Sequence, residues 1–126
     1  MTETTTNVAE LQWQRPLNLI DGELVDGEGE RRVIVRDPAL DEVIVDQAEA
    51  SAAQVDAAVA AARRAFGTWS RMTPGERSDL MHAWVRDLAE RAEEIAAWES
   101  RQCGKPMKLT TQFDVAGSID NVAFYA

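Results

Sequence analysis

The sequence predicts short N-terminal β-hairpins followed by three or four α-helices. Three observations carry that prediction. An Asp21-Gly22 pair sits between apolar stretches, the spacing of apolar residues changes from strand-like to helical at Ser51, and two capping boxes each open an apolar-periodic run. A chain of 126 residues can bury a core, and 45% hydrophobic with 28% charged residues is an ordinary globular composition. Disordered, collagen-like and membrane-spanning classes are thereby excluded.

Residues 1–16 are polar, carry Glu3, Glu10 and a threonine run, and end at Pro16, so they read as a flexible tail in which Trp13 is the residue able to dock. Leu17 to Ile20 and Glu23 to Val25 flank Asp21-Gly22 as a hairpin, because a two-residue turn of the right twist needs positive φ. Asp26-Gly27-Glu28-Gly29-Glu30 is a second turn region. Arg32-Val33-Ile34-Val35-Arg36 follows as a strand, Pro38 reverses the chain, and Val43-Ile44-Val45 returns.

Ser51 and Gln54 form a capping box, after which Val55, Val59, Ala62 and Phe66 recur at helical spacing, with Gly67 read as the stop. Thr73-Pro74-Gly75-Glu76 opens a second helical stretch, with proline at the first position, where no N–H is needed. Leu80, Trp84, Leu88, Ile95 and Trp98 continue it to Gly104 and Pro106, as one bent helix or, preferably, two consecutive ones. A last helical pattern runs from Met107 to Ala126 through Val115, Ile119 and Val122. It ends without a stop signal, so the chain reads as cut in mid-helix, leaving that stripe exposed. No internal domain boundary is signalled within 17–126.

The charge balance, 13 Lys and Arg against 22 Asp and Glu, gives a net of -9, which disfavours phosphate backbones and anionic membranes. No nucleic-acid or membrane partner is expected. A lone cysteine, the absence of an export signal and the lack of a long apolar run together point to the cytoplasm.

Chemistry-bearing residues are few. Cys103 in Gln102-Cys103-Gly104-Lys105-Pro106 is the tempting nucleophile, since Lys105 could lower its pKa, but a cysteine at a helix end is more often a small packing residue. His82, between Asp79 and Arg86, fits an exposed or half-buried helix face. Glu90, Glu93 and Glu94 among Arg86, Arg91 and Arg101 read as a solvated face of short-range ion pairs. Gly27 and Gly29 are flanked by carboxylates that would repel a pyrophosphate, so no cofactor cradle is expected.

The order of pieces says more than any one of them. The Leu19-Ile20-Asp21-Gly22-Glu23 hairpin is followed by Asp37-Pro38-Ala39, by the run from Val55 to Phe66 with Trp69, by Pro74-Gly75-Glu76-Arg77, by Glu99 ahead of Gly104-Lys105-Pro106, and by Phe124-Tyr125-Ala126. In that order, over about Leu17 to Ala126, the chain resembles the N-terminal part of the NAD(P)-dependent aldehyde dehydrogenase superfamily. The run Gln112 to Asn121, joined to Phe124-Tyr125-Ala126, looks most like its aminobutyraldehyde dehydrogenase branch.

The resemblance implies an α/β parent fold of Rossmann type, in which this chain supplies hairpins and flanking helices. It also implies oxidation of an aldehyde to a carboxylic acid: a cysteine thiolate adds to the carbonyl, hydride passes to NAD or NADP, and a glutamate activates the hydrolytic water. Those residues, and the ones that hold the adenosine ribose, lie C-terminal to this segment in the family, so neither catalysis nor cofactor binding is expected of this chain alone. The implied partners are the C-terminal catalytic portion, an aldehyde substrate and, as in the family, further copies in a homo-oligomer. Some members hold a monovalent cation at positions that match Val35 and Gln102 here, although a neutral amide replaces a carboxylate and Asp37 replaces the usual asparagine. The alternative is a complete small α+β module that binds a protein partner.

Overall fold

The structure, a computed structural model, describes residues 17–126. The expected tail at 1–16, with Trp13, lies outside the described residues. Two compact units are present, one formed by 17–36 and Glu42–Thr73, the other by Asp37–Asp41 and Pro74–Ala126.

In the first unit, β1 (Asn18–Ile20) pairs antiparallel with β2 (Glu23–Val25), Ile20 opposite Glu23. Asp21 and Gly22 both have positive φ, 54° and 86°, as a type I′ turn requires. β3 (Arg32–Asp37) and β4 (Glu42–Ala48) make a second two-stranded sheet, tied at its open end by Arg32 to Asp46 and Arg31 to Glu49. The strand expected at Val43 to Val45 is thus longer at both ends, and Val45 is its buried residue.

Helix α1 (Ala52–Trp69) opens on the predicted box: Ser51 Oγ accepts from Gln54 N at 3.2 Å, and Gln54 Oε1 accepts from Ser51 N at 3.0 Å. The same buried amide fastens the preceding loop, since Gln54 Oε1 also accepts from Glu28 N at 2.9 Å and Nε2 donates to Asp26 O at 2.6 Å. Gly67 does not stop the helix, which runs on to Trp69 and ends at Ser70 in a right-handed conformation. A glycine in the last turn costs only about 1 kcal/mol, too little to end a helix where no left-handed cap is required.

The apolar stripe at helical spacing is not the inward face of α1. Gln54, Ala58 and Ala61 turn inward, whereas Val55, Val59 and Phe66 remain 52%, 51% and 64% exposed. α1 packs against β1, and Arg64 Nη2 holds Asp21 Oδ2 at 2.8 Å. These polar fasteners set the rotation of the helix, and the alanines beneath allow a close approach.

In the second unit the long helical stretch is two helices, α2 (Pro74–Glu90) and α3 (Ala92–Cys103), as preferred from the sequence. Met81, Val85 and Leu88 are the large apolar residues of α2 that are half-buried. Leu80 and Trp84, which share the four-residue spacing with Leu88, are half exposed. Gly104 closes α3 in the left-handed conformation, φ 72°, with its N–H on Ser100 O at 2.8 Å.

The pattern from Met107 onward is not one α-helix. A short α4 (Met107–Leu109) passes into a π-helical stretch, Thr110–Val115, and then into α5 (Ala116–Tyr125). The wider π turn shifts the phase of the helix, and Thr110 and Val115 at its two ends are both buried. Ala96 and Ala97, fully buried on α3, give the π stretch room to pack closely. The stripe Val115, Ile119 and Val122 is therefore covered, not exposed as expected: Val115 is 5% exposed and the other two are half-buried, with α5 packed on α2. Leu109, Phe113, Phe124 and Tyr125 are the exposed large apolar residues of this region.

Candidate functional site

The tempting nucleophile can be judged from its neighbours. Cys103 is exposed at the end of α3, and its Sγ donates to Glu99 O at 2.8 Å and to Glu99 Oε1 at 3.2 Å. By accepting the S–H bond, the Glu99 carboxylate stabilises the neutral thiol and pushes its pKa above the ordinary value. Lys105 does not reverse this. Its Nζ is drawn to Asp114 Oδ2 at 2.7 Å, and that hydrogen bond raises the ammonium pKa. A catalytic cysteine needs a favoured thiolate, and this environment favours the thiol.

Beside this cluster lies an apolar cavity of about 280 Å³ whose floor is Leu88, Ile95, Val115, Ile119 and Val122, with Glu99, Asp114 and Ser118 at its edge. It brings together residues of all the helices from α2 to α5 except the short α4, and no nucleophile paired with a base lines it.

The turn Asp37–Asp41 carries a device that sequence reasoning missed. Asp37 is buried; Oδ1 accepts from Ala39 N at 2.9 Å and Leu40 N at 3.2 Å, and Oδ2 accepts from Arg101 Nε at 3.2 Å. Arg101 had been grouped with the solvated ion pairs of α3. That grouping holds for Arg91 and Glu94, where Nε and Nη2 each donate to one carboxylate oxygen, but Arg101 reaches across 64 residues of sequence to Asp37. The available signal was Asp37-Pro38 itself, whose carboxylate caps its own turn with one oxygen and leaves the other for a cation. Gly104 packs against the same turn, so close that a Cβ there would lie 2.7 Å from Pro38 Cγ.

The other sequence candidates lie apart from any assembled chemistry. His82 is exposed on α2, Nδ1 within 3.0 Å of Ser78 O. Val35 is half-buried in β3, and Gln102 is exposed one residue before the end of α3. Among the described residues no group of three or more His, Cys, Asp or Glu side chains is arranged to hold a metal ion.

Comparison with known proteins gives the ordered pieces a common meaning. The family model described as the aldehyde dehydrogenase family matches residues 24–126. The chain belongs to the aldehyde dehydrogenase family. It is 38% identical over 109 residues to the DhaS protein of Bacillus subtilis (strain 168), which carries an aldehyde dehydrogenase name, covering 85% of this chain and 22% of that one. Among solved structures, the gamma-glutamyl-gamma-aminobutyraldehyde dehydrogenase of Burkholderia cenocepacia J2315 superposes with a TM-score of 0.84 at 32% identity, over 94% of this chain and 24% of that one. The NAD+ complex of an aldehyde dehydrogenase from Bacillus cereus gives 0.81 at 32% identity, over 89% and 23%. The chain thus spans about a quarter of the length of these aldehyde dehydrogenases, the N-terminal part, and its hairpins-then-helices order is that of the family.

The nearest thing to a glycine loop, Asp26 to Glu30, is filled by the chain's own backbone: a Cβ at Gly27 would collide with Ala48 O, and one at Gly29 would lie 2.7 Å from Glu49 O. These glycines admit a strand edge, not a pyrophosphate. No helix of the described residues is long and apolar enough to cross a membrane.

Proposed function

We propose that this chain supplies the N-terminal hairpins and helices of an NAD-dependent aldehyde dehydrogenase that converts an aldehyde to the carboxylic acid, an aminoaldehyde being the favoured substrate class, and that by itself it does not turn over. The observation that carries this reading is the state of Cys103. The family model matches nearly the whole described chain, yet the one thiol in the sequence is bound to Glu99 and held as the neutral thiol. The aminoaldehyde preference is supported by the Gln112 to Asn121 run and by the name of the Burkholderia relative. The choice of NAD is supported by relatives named as NAD-dependent or held in an NAD+ complex. A reducing compartment such as the cytoplasm suits an exposed free thiol.

The chain's own contribution is structural. Its turns and helices hold their geometry through Gln54, Asp37 and Arg101, and the catalytic thiolate, the glutamate base and the dinucleotide site belong to other parts of the family fold. The purified chain, given an aldehyde and NAD+, should form no NADH. When a polypeptide supplying the remaining family segment is added, NADH formation should appear, faster with an aminoaldehyde than with benzaldehyde, and it should survive Cys103→Ser. Turnover by the chain alone that Cys103→Ser abolishes would overthrow the reading.

A further inference from the structure

We propose that Arg101 is a built-in cation: its guanidinium takes the place of the monovalent metal ion that the family resemblance implies beside Gln102, so that this chain holds its Asp37–Asp41 turn without sodium or potassium. The donors present do not suit an ion. Gln102 offers a neutral amide and is exposed. Asp37 is the buried carboxylate of the described residues, and three donors already converge on it: the Ala39 and Leu40 amides on Oδ1 and Arg101 Nε on Oδ2. A metal ion on Oδ2 would have to displace a group that carries its own permanent charge. Both side chains of the pair are largely shielded from water, Arg101 at 17% and Asp37 at 8% exposure, so the attraction is weakly screened.

Position supports the same reading. Arg101 stands in the last turn of α3, where the unpaired carbonyl ends of a helix favour a positive charge. Just beyond it, Gly104 admits Pro38 so closely that a Cβ would lie 2.7 Å from Pro38 Cγ, and the helix end and the turn are in direct contact. A tethered guanidinium differs from a dissolved ion in one respect that can be measured: it is present at every salt composition. The inference concerns the folding of this chain and does not depend on turnover of an aldehyde.

Amide hydrogen exchange at Ala39 and Leu40 tests it on the full chain, in sodium, potassium and choline chloride at one ionic strength. The parent chain should exchange at rates within about twofold of one another in the three salts. Arg101→Met should exchange at least about tenfold faster in choline chloride, because one-sided removal of a buried partner leaves Asp37 uncompensated, and sodium should recover part of the loss at the freed carboxylate. Arg101→Lys, which keeps a tethered charge, should stay near the parent rate in every salt. Slower exchange of the parent in sodium or potassium than in choline would reveal a bound metal ion and overturn the proposal. A methionine variant as protected as the parent in choline, a folded methionine variant that ignores sodium, or a lysine variant that needs sodium would overturn it as well.

Discussion

Helices α3 and α1 both offer an apolar pattern, and they spend it differently. α3 buries Ala96 and Ala97 completely, and its far end is locked by a left-handed cap and by Arg101 on the buried Asp37 carboxylate. α1 keeps its bulkiest apolar residues in solvent and turns inward a glutamine and two alanines. The difference shows that the inward side of a helix is chosen by whatever satisfies the buried polar groups around it, because an orphaned N–H or carboxylate costs more than one exposed valine. Polar fasteners fix the rotation, and the apolar stripe then faces wherever that rotation leaves it.

If so, the largest stability losses should come from the fasteners. Arg101→Met leaves the Asp37 carboxylate buried without its cation, and breaking a buried pair from one side costs about 3 kcal/mol or more. Urea unfolding followed on the helical signal should show that drop; a change below about 1 kcal/mol would mean that the turn amides alone satisfy Asp37. Gln54→Ala should come next, at about 2 kcal/mol, since it strands Glu28 N–H and Asp26 C=O and removes half of a capping box. Gly104→Ala should cost roughly 1–2 kcal/mol for the left-handed backbone, with the Pro38 contact adding to it.

How much of this was legible follows from the same physics. The Asp21-Gly22 turn, the Ser51 box, the break between α2 and α3 and the Gly104 stop are local: each is written in two to four adjacent residues whose backbone demands are intrinsic. The outcome at Gly67 was misread because a glycine marks a helix end only when a left-handed residue is needed there. The inward faces of α1 and α2 were not legible, because periodicity reveals that a stripe is apolar, not what will cover it. The π stretch was invisible because the segment it packs on, α3, is a separate helix, and spacing does not record a contact between segments. The Asp37–Arg101 pair spans 64 residues, and spacing carries no information at that range. At the candidate site, the sequence placed Cys103 and Lys105 together correctly, but the direction of the thiol shift depended on Glu99 one turn back and on Asp114 drawing Lys105 away.

The comparison is sharpened by a change that should do almost nothing to folding. Phe66→Ser removes a large apolar side chain from α1, and a core phenylalanine would cost about 3–5 kcal/mol. Because Phe66 is 64% exposed, the expected change in monomer stability is within about 0.5 kcal/mol. A loss of several kcal/mol would show that the stripe is covered after all and would erase the contrast between the two helices.

The smallest effect expected is at the start of α3, where the Arg91 guanidinium hydrogen-bonds both oxygens of Glu94 and holds that carboxyl below its ordinary pKa. A carboxyl whose folded pKa is lowered stabilises the fold above its unfolded pKa, and that contribution disappears as the pH falls through the lower, folded value. The pair should therefore help at neutral pH and fade in the acid range below the ordinary glutamate pKa. Arg91→Ala should be slightly less stable than the parent chain at pH 7, with the two curves converging as Glu94 protonates. Both groups are exposed, so salt should shrink the gap further. A gap that persists in strong acid would assign the loss to the packing of the Arg91 stem at the helix start, and the ion pair would then be ornament on a surface that folds without it.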